Sequence, residues 1–300
     1  MSESGINIVA IIGAGNMGHA IGQVFAQFGF HVVLHDRSQD QLKKVKPQIR
    51  QNLEELVSYG IFQSSQIEAT LNRIEINDSL EKSTSNADLV IESVFEDREL
   101  KKNVFKELDH LCPKHTILAS NTSEIIPSTF ATVTNRPDKI LATHFFYPAY
   151  LIPLVEIVPT YETSKKTIEL VCQLLKNTGK EPIILKKEVP GFIANRLQVA
   201  LLREALNMVE RGFATPQQID EAVKHSFGRR LGILGIFEII SLQGGSWDID
   251  ECLLNDISSS TVNTPISQHM KESYKMTSEE KNALRNKLVS RLSQYQRNEY

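Results

Sequence analysis

Residues 7–36, NIVAIIGAGNMGHAIGQVFAQFGFHVVLHD, restrict what this chain can fold into more than any other stretch. A branched apolar run over 8–12 has the composition of a buried parallel strand and stops at glycine. Gly13, Gly15 and Gly18 fit G-x-G-x-x-G, with Asn16 and Met17 between the last two. Met17, Ile21, Val24, Phe25 and Phe28 then recur at helical spacing, and Gly29 supplies the C-terminal stop. A second apolar run ends at Asp36, roughly 20 residues beyond the turn. In such a unit the first glycine allows the tight turn, the second lets backbone approach a pyrophosphate, and the third lets helix and strand pack closely. The helix N-terminus presents unpaired N–H groups and partial positive charge to the phosphates. An acid at the position of Asp36 accepts from a ribose 2′-hydroxyl and repels a 2′-phosphate, which favours NAD over NADP. Arg37, beside it, is the residue type that accommodates a 2′-phosphate.

Beyond this unit the chain keeps alternating. Leu42, Val45, Ile49, Leu53 and Leu56 mark a long helix to about residue 59. A short helix over 65–71, strands over 74–76, 87–94, 116–120, 139–146 and 154–158, and helices over 97–111 and 164–176 follow, with a last strand at 182–185. From Gly191 onward the pattern is helical. Phe192, Leu197, Leu201, Leu202, Leu206 and Val209 line one helix, and Thr215 with Pro216 opens the next. Residues 237–242 read as buried, and Thr277 with Glu280 forms a capping box ahead of a charged helix striped by Leu284, Leu288 and Leu292. The expected class is α/β: a Rossmann-type doubly wound parallel sheet over residues 1–187, followed by an all-α domain over 188–300.

Composition removes several classes of function. Three hundred residues, 41% hydrophobic, suffice for two domains. A net charge of -3 supplies no basic field, so no nucleic-acid or anionic-membrane partner is expected. Cys112, Cys172 and Cys252 match no zinc spacing and suit a reducing cytoplasm. The start of the chain lacks a charged n-region, and no apolar run reaches transmembrane length.

In open α/β sheets, ligands sit beyond the C-terminal ends of the strands. That rule picks out Glu92 and Glu96, the run Ser120-Asn121-Thr122-Ser123, and His144. Dehydrogenation of an alcohol needs a base for the hydroxyl proton, and imidazole has a pKa close to neutrality. Glu156 stands between Leu154-Val155 and Ile157-Val158, so it needs a partner if buried. The other reading of Glu156 places it on the solvent face of an edge strand.

GAGNMG, ADLVIESVFED, SNTSEI, HFFYP, LVEIV and GFIANRL, in that order over about residues 6–245, resemble the L-3-hydroxyacyl-CoA dehydrogenase family. The resemblance implies a two-domain, NAD-dependent enzyme with a hydroxyacyl substrate, dimeric through its helical domain. It puts His144 on the general base and Glu156 on the carboxylate that orients it. Ser123 and Asn195 fall on groups holding the substrate oxygen, and Glu96 and Lys101 on the nicotinamide half of the cofactor site. The family's HFFNP is HFFYP here, with Tyr147, and its G-P-F-E becomes Gly235-Ile236-Phe237-Glu238. Residues 58–62 carry none of the lysines that meet the CoA nucleotide in the family. PAYLIPLVEIVP and the pair Arg229-Arg230 resemble the L-gulonate 3-dehydrogenase and lambda-crystallin branch, in which Arg230 would suit a free carboxylate. That branch also implies a further alternative, a non-catalytic NAD-binding structural protein.

Overall fold

The computed structural model describes residues 5–242 and 276–298. By contact the chain divides into two compact units, Met1–Leu197 and Gln198–Tyr300.

The first unit is an eight-stranded sheet. Its strands are β1 (Ile8–Ile12), β2 (His31–His35), β3 (Ile74–Asn77), β4 (Leu89–Glu92), β5 (Ile117–Ser120), β6 (Ile140–Phe145), β7 (Leu154–Pro159) and β8 (Glu181–Ile184), in spatial order β3-β2-β1-β4-β5-β6-β7-β8. Order reverses between β1 and β4, the crevice at which a doubly wound sheet takes its ligand. The helices are α1 (Asn16–Gln27), α2 (Gln39–Ser58), α3 (Ile67–Asn72), α4 (Leu80–Thr84), α5 (Arg98–Leu111), α6 (Ser128–Ala131) and α7 (Lys165–Asn177), and α8 (Ala194–Glu210) begins here and runs into the second unit. Valine, isoleucine and leucine fill β1, β2 and β4 because both faces of these strands are covered, and Val9, Ile11, Val32, Leu34 and Ile91 are all buried. Ser38, Ser79, Asp97 and Ser164 each accept an amide of the first turn they precede, which fixes where α2, α4, α5 and α7 start.

The sheet is mixed rather than wholly parallel, because β6 and β7 run antiparallel. Their connection, residues 146–153, is shorter than the dozen or so residues a parallel crossover needs. The reversal brings His144 directly opposite Glu156 in register. With β8 paired outside it, β7 is an interior strand, so Glu156 is not on a solvent-facing edge.

Local expectations change at a few places. Phe28 caps α1 instead of facing the core and is 52% exposed, while Gly29 turns the chain at φ 92°. Phe192 is not the first residue of a helix: it lies in the left-handed region at φ 51°, directly after Gly191 at φ 75°, and α8 starts two residues later. A non-glycine residue there is strained by about 1 kcal/mol or more, and burial of the Phe192 ring offsets it.

In the second unit, α9 (Pro216–His225) opens with a capping box from Thr215 and Gln218, followed by α10 (Phe227–Leu231), α11 (Ile236–Leu242) and α12 (Ser278–Asn298). Packing joins α9 to α10 and α11 to α12. The apolar stripe of α8 buries none of its residues within this chain, and in α11 only Ile239 and Ser241 are buried while Ile236 and Phe237 are exposed. Cys112 is buried, which pushes its thiol up to about 11, and Cys172 is half-buried. Cys252 lies outside the described residues.

Candidate active site

A cavity of about 1040 Å³ opens over the C-terminal ends of β1, β2, β4 and β6. Gly13, Gly15, Asn16, Met17 and Asp36 border one part, and Glu96, Ser123, His144, Phe146, Tyr147 and Asn195 border another. Most of the residues selected from sequence therefore share one space.

The glycine turn has the shape its spacing implies. A Cβ on Gly13, at φ 102°, would meet Ser93 O at 2.5 Å, and one on Gly18 would meet Gly13 O at 1.8 Å. Both positions are closed to side chains. A Cβ on Gly15 would meet nothing within 4 Å, because that residue faces the open cavity. Gly15 is also the N-cap of α1 and contributes no side-chain cap, so the first amides of the helix stay available to an anion. Asp36 accepts from Ala14 N and Ser38 N, both at 2.8 Å, and each oxygen keeps a further lone pair. Arg37 is mostly exposed and lies 4.0 Å from Glu107. These features fit NAD: a bare turn for the pyrophosphate and a positioned acid for a ribose diol.

At the other end, His144 Nδ1 lies 2.8 Å from Glu156 Oε2. The second Glu156 oxygen, Oε1, accepts from Ile193 N and Ala194 N at 2.9 Å each, the amides that open α8. Burial by itself raises the Glu156 carboxyl. The His144 ring and the two amides outweigh burial and hold the group below the usual carboxylate range. An ionised carboxylate only accepts, so Nδ1 carries the proton and Nε2 presents a lone pair. The imidazole packs against Phe146 and Phe192, ring centroids 4.3 and 5.6 Å away and both rings tilted to it. Sequence patterning put Phe192 on a helical stripe and gave no sign of its place beside His144, since a left-handed phenylalanine has no local signature.

Ser123 and Asn195 are joined through Asn195 Nδ2, which donates to Ser123 O at 3.1 Å. The Ser123 loop is built on Glu96, whose Oε1 accepts from the Thr122 hydroxyl, from Ser123 N at 3.1 Å and from Glu124 N at 3.3 Å. Burial raises the Glu96 carboxyl, but the Thr122 hydroxyl, the Lys101 ammonium and the Glu124 amide bring it below its ordinary value. Lys101 does not border the cavity. It is 1% exposed, clasped by both oxygens of the buried Glu92 at 2.8 and 3.0 Å, and 3.2 Å from Glu96 Oε2. Its contact with the cavity is made through Glu96. Arg230 belongs to α10 in the second unit and is half-buried there. Among the described residues no group of three or more histidines, cysteines and acids could hold a metal.

Comparison with known proteins assigns the family. The 3-hydroxyacyl-CoA dehydrogenase NAD-binding domain matches residues 8–189, and the C-terminal domain of the same family matches residues 191–298. The chain is 37% identical to a 3-hydroxybutyryl-CoA dehydrogenase of Clostridioides difficile over 78% of its own length and 83% of that protein's. It is 34% identical to the human lambda-crystallin homolog, over 81% of this chain and 76% of the other. The crystal structure of an (S)-3-hydroxybutyryl-CoA dehydrogenase from Ralstonia eutropha superposes with a TM-score of 0.70 at 35% identity, covering 73% of this chain and 77% of that one. With a bare glycine turn, a ribose-ready acid and both family domains in place, this chain belongs to the 3-hydroxyacyl-CoA dehydrogenase family, NAD-dependent oxidoreductases that act on a CH–OH group.

Proposed function

We propose that this enzyme oxidises the 3-hydroxyl of an L-3-hydroxyacyl-CoA, such as 3-hydroxybutyryl-CoA, to the 3-keto compound, and runs the reverse reduction. The observation that carries the reading is the 2.8 Å contact between His144 and Glu156 at the wall of the cavity. Glu156 fixes the tautomer; His144 Nε2 takes the hydroxyl proton and returns it in the reverse direction. As the ring becomes cationic, the carboxylate behind it stabilises the charge. Ser123 and Asn195 hold the substrate oxygen. Gly13, Gly15, Asn16, Met17, Gly18 and Asp36 hold NAD, with Glu96 on the nicotinamide side and Lys101 acting by fixing Glu96. When bound, NAD would supply the hydride acceptor for the carbinol carbon, and its reduced form the hydride donor in the reverse direction.

Residues 188–300 form the substrate and dimerisation domain of this proposal. The exposed Leu197, Val199, Leu201, Leu202 and Leu206 of α8 support a homodimer, which sedimentation would test. No helix among the described residues is long and apolar enough to cross a membrane, and a cytoplasmic place in fatty-acid metabolism goes with this reading.

A free 3-hydroxy acid such as L-gulonate is the second reading, favoured by the missing lysines at residues 58–62 and by the Arg229-Arg230 pair. NAD reduction with 3-hydroxybutyryl-CoA and L-gulonate side by side separates the two. Turnover of the thioester is expected, and turnover of the free acid alone overturns the CoA assignment.

A further inference from the structure

Lys180 precedes β8, is 6% exposed, and takes no part in the chemistry described above. Among the described residues no carboxylate pairs with it. Its ammonium instead donates to two backbone carbonyls, Ala149 O and, at 2.9 Å, Ile152 O. Both belong to the 146–153 connection between β6 and β7. Within that connection, Leu151 N and Ile152 N both donate to Pro148 O at 3.0 Å, making a tight turn that aims the Ala149 and Ile152 carbonyls at one point. No amide of the described residues takes either carbonyl. The arrangement is a small cage of carbonyl oxygen filled by a lysine from another part of the chain.

A buried ammonium without a carboxylate is a poor source of stability, and a methionine of similar length would fill the space without the desolvation cost. Burial alone pushes Lys180 down to about 8. What the ammonium does, and an apolar side chain cannot, is bind two carbonyls at once and so fix the turn. That turn carries Phe146 and Tyr147 on its leading side. Phe146 packs against His144 with its ring tilted 51° to the imidazole, and Tyr147, 68% exposed, borders the cavity next to it. Glu156 holds the far side of the imidazole independently, so the lysine governs the wall of the cleft and not the base itself.

We propose that Lys180 is a positioning residue for the substrate: by tying down the turn at Ala149 and Ile152 it sets where Phe146 and Tyr147 stand at the mouth of the cleft. The inference rests on the hydroxyacyl reading of the site. In Lys180→Met the KM for the acyl substrate should rise about tenfold, because the loosened turn misplaces groups at the mouth of the cleft, with kcat and the Kd of NAD unchanged. In a Tyr147→Ala background the same change should move KM less than in wild type, because one of the two side chains it positions is gone. Lys180→Gln keeps a shorter, uncharged N–H donor group; it should give an intermediate KM and covers the case in which Lys180→Met does not fold. Equal KM values for wild type and variant, additive effects with Tyr147→Ala, or a parallel decline of kcat, KM and NAD affinity would each overturn the proposal. If the wild-type enzyme turns over no hydroxyacyl substrate, the function proposed above fails instead. The tether is then read by amide hydrogen exchange over residues 146–153 in Lys180→Gln, where faster exchange supports it and unchanged exchange removes it.

Discussion

Two buried acid–base pairs sit on the same sheet and have opposite fates. Glu92 and Lys101 are closed in on themselves: the carboxylate accepts from the ammonium, from Val94 N at 2.7 Å and from Ser120 Oγ at 2.5 Å, and neither residue borders the cavity. Glu156 and His144 are just as deeply placed, and Glu156 is as fully satisfied, yet the pair leaves one ring nitrogen with no partner among the described residues. A pair whose every donor and acceptor is used holds structure, here including the position of Glu96, which the ammonium also reaches at 3.2 Å. A pair with one unspent lone pair at a cavity wall can exchange a proton with whatever enters. The difference lies in strand direction: Glu92 and Lys101 come from a strand and the helix that follows it, while His144 and Glu156 face each other across the one antiparallel step.

Substitutions can break or sharpen that contrast. The largest effect is expected from His144→Gln, which should lower turnover by about 10²–10⁴ while the Kd of NAD stays nearly constant. A mild loss of rate would remove the open pair from the chemistry. Next comes Glu92→Gln, which strands the Lys101 ammonium against Glu96 alone and should cost about 3–5 kcal/mol in urea unfolding. A stability close to wild type would show that the closed pair is not structural. Ser120→Ala removes one donor from the same carboxylate and should cost about 1.5 kcal/mol in the same measurement; no change would mean that the carboxylate is held without it.

The smallest effect is one of slope. The folded-state pKa of Glu156 is depressed, so the unfolded chain binds the extra proton first. Its stabilisation is complete above the ordinary glutamate value of about 4.3 and is lost as pH falls through the lower folded value. Thermal melts of wild type should therefore steepen with acid below about pH 4, and melts of Glu156→Gln should lack that component. Identical slopes would mean the carboxylate has no special stabilisation in the fold.

How much of this was legible in the sequence depended on how local the signal was. The glycine turn, β1, α1 and Asp36 lie within one continuous stretch, and each glycine has a steric reason that a reader of sequence can supply. Glu156 was conspicuous because a charge among branched apolar residues needs a partner. Its register opposite His144 was not visible, since pairing across a reversed strand is decided by the length of the connection and by tertiary packing. Lys180 carried no signal at all, and Phe192 read as one position of a helical stripe. A left-handed phenylalanine and a lysine that binds carbonyls look like ordinary residues until the chain around them is folded. Phe28 shows the converse, a periodic apolar position at which the helix has already ended.

The amides of Ile193 and Ala194 on Glu156 also bear on how this protein could be dissected. A nucleotide-binding half cut from the chain at residue 187 would retain every strand and the glycine turn, yet its glutamate would lose two of its three donors, and with them the phenylalanine that flanks the imidazole. Such a fragment would be competent to bind a dinucleotide and poorly equipped to move a proton, so modular swaps in this scaffold need their seam placed after the first turn of α8.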